Sequence, residues 1–300
     1  ARPAETVGPD DNFFRLGGDS IAAMRLAATA SEKGIELGVS DVFLHPKLSD
    51  LALNCSFPVS KERPNSEPKV LDSVPPFSML PANHREELKS QAMEQCNLPI
   101  EKIADIYPCT ALQGGMVALT AERPGSYIAY HRFRLGPDID LSLLKAAWET
   151  VAKHNGILHT RFIQSELGFM QVLVQNSELH WISAETKEDE RLHWDVLLGQ
   201  PLVQFEVVPV LSEDANVSQP LDLVITIHHA LYDSWSLPLL VHRAQEAYQG
   251  QILEPSDMTP FKEFIKYSIS QQKDALEHWR REFHELAAEP FPTLPSTSYR

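Results

Sequence analysis

Between residues 54 and 78 the chain carries five prolines: Pro58, Pro64, Pro68, Pro75 and Pro76, mixed with Ser, Lys and Glu. Each proline fixes φ and removes a backbone donor, so such a stretch enters neither a helix interior nor the middle of a sheet. It predicts an extended linker. A linker there sends the apolar residues on its two sides into separate cores. The boundaries read from the texture are 1–55, a linker at 56–80, and 81–300. A length of 300 residues fits two domains, and a hydrophobic fraction of 43% can fill both.

The first block reads as small and all-helical. Residues 20–33 predict a helix with Ser20 as N-cap, Ile21, Met24 and Ala28 on one face, and Gly34 at its end. Short helices are expected at 39–44 and 47–53, the second opened by Pro46. The second block alternates between periodicities. Helices are expected at 83–96, 112–121, 187–198, 236–249, 260–272 and 274–287, and Leu141, Leu144, Trp148 and Val151 recur at helical spacing. Strands are expected at 127–135, 158–163, 169–174, 203–209 and 221–228. The pattern predicts a mixed α/β domain with helices covering a sheet.

Charge narrows the partners. Lys and Arg number 26 against 41 Asp and Glu, for a formal net charge of −15. Phosphate backbones and anionic membranes need clustered cations, so neither nucleic acid nor a membrane surface is expected. Acidity of this size chiefly aids solubility. Cys55, Cys96 and Cys109 are odd in number and widely spaced, which fits a reducing compartment and a cytoplasmic location. No signal peptide or long apolar run is evident. The chain opens on Ala1 in what reads as a loop, and a fragment of a longer protein is expected.

Asp11-Asn12-Phe13-Phe14-Arg15-Leu16-Gly17-Gly18-Asp19-Ser20-Ile21 is the most informative string. The glycines allow a tight turn, the phenylalanines can anchor it, and Ser20 stands at a helix N-terminus whose potential favours a phosphate. No base stands beside Ser20, so it reads as a capping residue or as the target of another enzyme's modification. The whole string resembles the thiolation, or peptidyl carrier, domain of nonribosomal peptide synthetases. The resemblance spans about residues 5–55. It implies a four-helix bundle, here without its first helix, and a covalent 4′-phosphopantetheine on Ser20.

A second string, Ile227-His228-His229-Ala230-Leu231-Tyr232-Asp233-Ser234-Trp235-Ser236, follows the apolar segment Leu221–Ile227. Alternation on a strand points His228 and His229 to opposite sides, which disfavours a shared metal. What remains open is a satisfied buried pair or one histidine acting as a general base. Asp233 can fix the loop that presents the base, given a cationic partner.

The His-His-x-x-x-Asp pattern resembles the core motif of condensation domains, members of the chloramphenicol acetyltransferase-like superfamily. Further matches lie in the family's order: Tyr107 to Met116 (YPCTALQGGM), Lys153 to Phe162 (KHNGILHTRF), Phe261-Lys262-Glu263-Phe264, and His278-Trp279. They cover 103–285, the N-terminal half of such a domain. The resemblance implies that His229 is catalytic, that His228 is structural, and that Arg161 pairs with Asp233 to hold the loop. The chain departs from the family at Ser234, where glycine is usual, and at Asn155-Gly156, where an acidic residue and a further side chain are usual. Cys109, a lone thiol beside Pro108, reads as core rather than nucleophile.

Together the resemblances imply amide-bond formation in nonribosomal peptide synthesis. An acyl or peptidyl thioester on the carrier would meet a downstream aminoacyl thioester. The implied partners are an upstream adenylation domain, a downstream carrier and a phosphopantetheinyl transferase, with no metal. A terminal cyclising or releasing domain, an epimerising one, and a non-catalytic docking partner of the carrier are the alternatives.

Overall fold

The computed structural model describes residues 7–56, 74–175, 177–182, 198–210, 220–253 and 260–286. The chain divides into two compact units, Ala1–Ser73 with Ser234–Leu239, and Val74–Asp233 with Leu240–Arg300. No helix among the described residues is long and apolar enough to cross a membrane.

The first unit holds three helices: α1 (Ser20–Glu32), α2 (Val39–Leu44) and α3 (Leu48–Asn54). Ala23, Val42 and Leu51 meet at its centre, with Phe13, Leu26 and Leu37 packed around them. Gly34, at φ +74°, ends α1, and the Ile35 amide donates back to the Ala30 carbonyl. One expectation is corrected. The N-cap of α1 is Asp19, whose Oδ1 accepts from the Ala22 amide at 2.7 Å, and Ser20 is the first helical residue. The short acidic side chain reaches the free amides from extended backbone, which leaves the next hydroxyl uncommitted.

The second unit is the expected mix of sheet and helix. Its strands are β1 (Ile103–Pro108), β2 (Ile128–Arg134), β3 (Thr160–Ser165), β4 (Gly168–Val174), β5 (His180–Ile182), β6 (Val203–Pro209) and β7 (Leu221–His228). They form an antiparallel sheet of order β1-β4-β3 and a second sheet of order β2-β7-β6-β5, in which only β5–β6 is parallel. Its helices are α4 (Arg85–Cys96), α5 (Ala111–Glu122), α6 (Leu141–His154), the part of α7 (Ser236–Tyr248) from Leu240 onward, and α8 (Phe261–Glu282). Trp148 of α6 packs on Phe205 of β6 with ring centroids 4.9 Å apart, within a core that also holds Val151, Ile225, Ile227 and Leu240. A second core joins Leu88 and Ala92 of α4 to Ile106, Ile163, Met170 and Val172.

Three details differ from the sequence reading. α8 is one 22-residue helix rather than two. β1 and β5 were not anticipated, and the helix expected at 187–198 falls almost wholly outside the described residues. The end of the expected linker is packed, with Val74 and Leu80 buried. β1 and that packed segment share one cause. Asp105, an unlikely strand residue, is buried because its Oδ1 accepts from the amides of Phe77 (2.6 Å) and Ile106 (2.8 Å), while Oδ2 pairs with Lys262 Nζ at 3.1 Å. The Val74 amide donates to Glu263 at 2.9 Å. The Lys262-Glu263 pair thus pins the segment entering this unit to α8.

Candidate functional site

The two strings singled out in the sequence place two sets of side chains, around Ser20 and around the His228-His229 pair. In the first, Phe13 and Phe14 stack edge-on at 5.3 Å, and Phe14 packs on Phe43 at 5.0 Å. They seat the loop that presents Ser20. Gly17 needs its positive φ of +93°. Gly18 needs its missing side chain: a Cβ would lie 2.4 Å from the Phe13 ring and 2.7 Å from its carbonyl oxygen, which accepts the Gly18 amide at 3.0 Å. Ser20 is exposed, and its hydroxyl has no partner among the described residues. An exposed, uncommitted hydroxyl at the start of a 13-residue helix fits a phosphodiester-linked arm.

In the second unit the two histidines part at the end of β7, His228 on the strand and His229 in the turn that follows. His228 closes β7 and is 1% exposed. Its Nδ1 accepts from the Ala230 amide at 3.1 Å, so the proton of the neutral ring sits on Nε2. That nitrogen is 2.8 Å from Thr120 Oγ1, whose own hydrogen faces the carbonyls of Met116 and Ser126, both at 2.9 Å. Burial first, and then the charge of His229, push the His228 pKa down to about 4. His228 is held neutral and fully bonded.

His229 opens a short 3-10 turn, His229–Leu231, and is half-buried. Its amide donates to Tyr127 O at 2.8 Å, and its Nδ1 lies 2.9 Å from Tyr232 O. A carbonyl only accepts, so Nδ1 carries the proton and Nε2 presents a lone pair with no partner among the described residues. Tyr232 also stacks on the His229 ring at 4.8 Å and 27°. Tyr127 holds a left-handed φ of +58°, unusual for an aromatic residue and located where its carbonyl meets the histidine turn.

The other predicted residues fall as follows. Arg161, at the start of β3, donates from Nη1 to the carbonyls of Cys96 and Gly199, each at 3.0 Å, and burial lowers its pKa. It thereby ties β3 to the end of α4 and to the Gly199 turn. Asp233 is exposed and follows the histidine turn. Ser234 does not need the glycine-only backbone: positive φ among described non-glycine residues occurs at Phe77, Asn97 and Tyr127. Asn155 donates from Nδ2 to Val151 O at 2.7 Å, closing α6, and a Cβ on Gly156 would meet Leu173 Cδ1 at 2.8 Å. Asn155 thus has a local structural role, while the contact at Gly156 is with the movable end of the Leu173 side chain. Burial raises the Cys109 thiol to about 12, as a packing residue requires.

Several residues at this site went unassigned in the sequence. Gln113 is buried and donates to Ala230 O (3.0 Å) and Gln171 Oε1 (3.2 Å), joining α5 to the histidine turn. Its signal was the Thr110-x-x-Gln113 capping box, which forms. Thr120, His131 and Tyr232 gave no sequence signal, since each acts only through a tertiary partner. A cavity of about 320 Å³ lies against Val117, Thr120, Phe162, Leu202 and His228, and His229 is not among the described residues lining it.

Comparison with known proteins agrees with this geometry. The condensation-domain family matches residues 103–299, and the phosphopantetheine attachment site family matches residues 1–53. Nonribosomal peptide synthetase GRA1 of Gibberella zeae is 38% identical over 98% of the chain. D-lysergyl-peptide-synthetase subunit 2 of Epichloe festucae var. lolii is 38% identical over 99%, and peramine synthetase ppzA of Metarhizium rileyi 38% over 96%. The chain spans 4%, 21% and 10% of those three proteins. Two solved structures share the fold: holo T3CT, with TM-score 0.53 and 19% identity over 70% of this chain and 50% of that one, and the CT mutant, with 0.55 and 20% over 72% and 51%. The fold class is the chloramphenicol acetyltransferase-like one, preceded by carrier helices.

Proposed function

The chain belongs to the condensation-domain family, with a phosphopantetheine attachment domain before it, and from that premise we propose that it forms amide bonds in nonribosomal peptide synthesis. Residues 1–55 act as the carrier, 56–80 as the connection and 81–300 as the N-terminal half of the condensation domain. A 4′-phosphopantetheine on Ser20 supplies a thiol that holds the donor acyl group as a thioester. His229 Nε2 orients the attacking amine of an aminoacyl group on a downstream carrier and takes the proton it sheds; as the new C–N bond forms the thioester C–S bond breaks, and the proton passes to the departing pantetheine sulfur, which leaves as the free thiol. His228 keeps the turn in place, Arg161 fixes β3 through the Cys96 and Gly199 carbonyls, and Asp233 supports the loop.

One observation carries this reading: the Tyr232 carbonyl holds the Nδ1 proton of His229, which leaves Nε2 as the lone-pair nitrogen of an otherwise satisfied turn. The test is peptide formation by the parent synthetase with loaded carriers. His229→Ala should lose roughly 100-fold or more in rate, and Ser20→Ala should be inert. Wild-type turnover in His229→Ala would refute the role of that imidazole.

The cavity on the His228 side rather than the His229 side favours a second reading, in which this half serves only to dock the carrier. It gains if the parent protein binds its loaded carrier yet makes no product.

A further inference from the structure

We propose that Tyr232 and His131 form a positioning clamp that fixes both the tautomer and the ring direction of His229; this deepens the function proposed above and rests on it. His229 touches Tyr232 twice, through Nδ1 to the carbonyl at 2.9 Å and through ring stacking at 4.8 Å. A residue that supplies both contacts must itself be held, or the imidazole moves with it. The hold comes from another element. The Tyr232 hydroxyl lies 2.9 Å from His131 Nε2 on β2, and the two rings meet edge-on at 5.1 Å and 87°. β2 pairs along its whole length with β7, the strand that delivers His228 and His229. The chain His131–Tyr232–His229 therefore closes a loop between the end of β7 and its own neighbour, so that one rigid sheet determines both the position and the aim of the imidazole.

Each link has a reason. Burial and then His229 lower the His131 pKa, which favours the neutral ring, and a neutral ring with its proton on Nδ1 accepts the phenolic hydrogen at Nε2. The Tyr127 carbonyl, at the entry to β2, takes the His229 amide at 2.8 Å, so backbone and side chain are gripped by one strand. A misplacement of about 1 Å at a reacting group can cost roughly 100-fold. The clamp's residues touch His229 and not the substrate, and they are positioning residues.

Two readouts test the clamp. In the 300-residue chain, long-range ¹H–¹⁵N correlation of the His229 ring should show the proton on Nδ1. Tyr232→Phe, which keeps the stack and removes the hydroxyl, should shift the ring toward mixed tautomers. In the parent synthetase, single-turnover amide formation should slow by roughly 3- to 10-fold in Tyr232→Phe and equally in His131→Ala, the loss of one hydrogen bond. The double variant should be no slower than the slower single, because both remove the same bridge. His131→Gln, which can still take the hydroxyl, should recover most of the rate. Multiplicative losses, or an unchanged tautomer and rate in Tyr232→Phe, would overturn the clamp. If His229→Ala keeps its rate, the proposed function fails, while the tautomer measurement still judges the clamp.

Discussion

Replacing Thr120 by Val changes one hydroxyl into a methyl of nearly equal size, at the point where α5 grips the histidine pair. The hydroxyl sits 2.8 Å from His228 Nε2 and 2.9 Å from two carbonyls. Because His228 Nδ1 is committed to the Ala230 amide, the Nε2–H has no alternative donor role to exchange. The variant leaves a buried N–H without an acceptor, at a cost of about 1–3 kcal/mol, and takes the hydroxyl donor from the Ser126 carbonyl at about 0.5–1 kcal/mol more. A total of about 1.5–4 kcal/mol in a unit of this size lowers Tm by roughly 3–16 °C. Calorimetry of the chain checks the value. Thr120→Ser, which keeps the hydroxyl and loses one methyl, should cost about 1 kcal/mol or less. A Thr120→Val melting point within a degree of wild type would refute the bonding assigned to His228.

Acid should unfold this unit early. His228 is held down to about 4 from an ordinary 6.5, so the unfolded chain binds more protons between those values; its stability contribution is complete above pH 6.5 and lost as pH falls toward 4. Denaturant midpoints should therefore drop across that window, and His228→Gln should flatten the drop by up to about 1.4 kcal/mol per pH unit, leaving the smaller parts from His131 and His159, which shift the same way. Gly18→Ala should destabilise the carrier unit by more than about 2 kcal/mol, since the added Cβ would overlap the Phe13 ring; thermal unfolding of that unit reads it. Lys262→Met should cost about 3 kcal/mol by leaving Asp105 buried without its cation, seen as a lower urea midpoint, while Asp105→Asn with Lys262→Met should recover much of it.

Sequence patterns of short range were legible. The Gly-Gly-Asp-Ser string marks a glycine turn and a helix start because the glycines answer local constraints at Gly17 and Gly18. The doublet after an apolar strand told that the two imidazoles would face different ways, because neighbouring residues on a strand point to opposite sides; which of them would be free to act was not told, since β7 is buried at consecutive positions and His229 already lies in the turn beyond it. What depends on partners far along the chain was not legible. One miss was local instead: the N-cap passed from Ser20 to Asp19, adjacent residues that both cap well, of which Asp19 takes the Ala22 amide. β1 hid behind Asp105, whose burial is made tolerable by Lys262, 157 residues later. The grip of Thr120 on His228 and of His131 on Tyr232 spans 108 and 101 residues, and no spacing rule reaches that far.

The most direct trial follows the donor itself. The parent synthetase is loaded at Ser20 with a phosphopantetheine-bound acyl group, given its acceptor, and the mass of the Ser20 peptide is read over time. Wild type should shed the acyl mass and keep the arm, whereas His229→Ala should retain both. Discharge at equal rates in the two proteins, or an arm found on any residue but Ser20, would contradict the account.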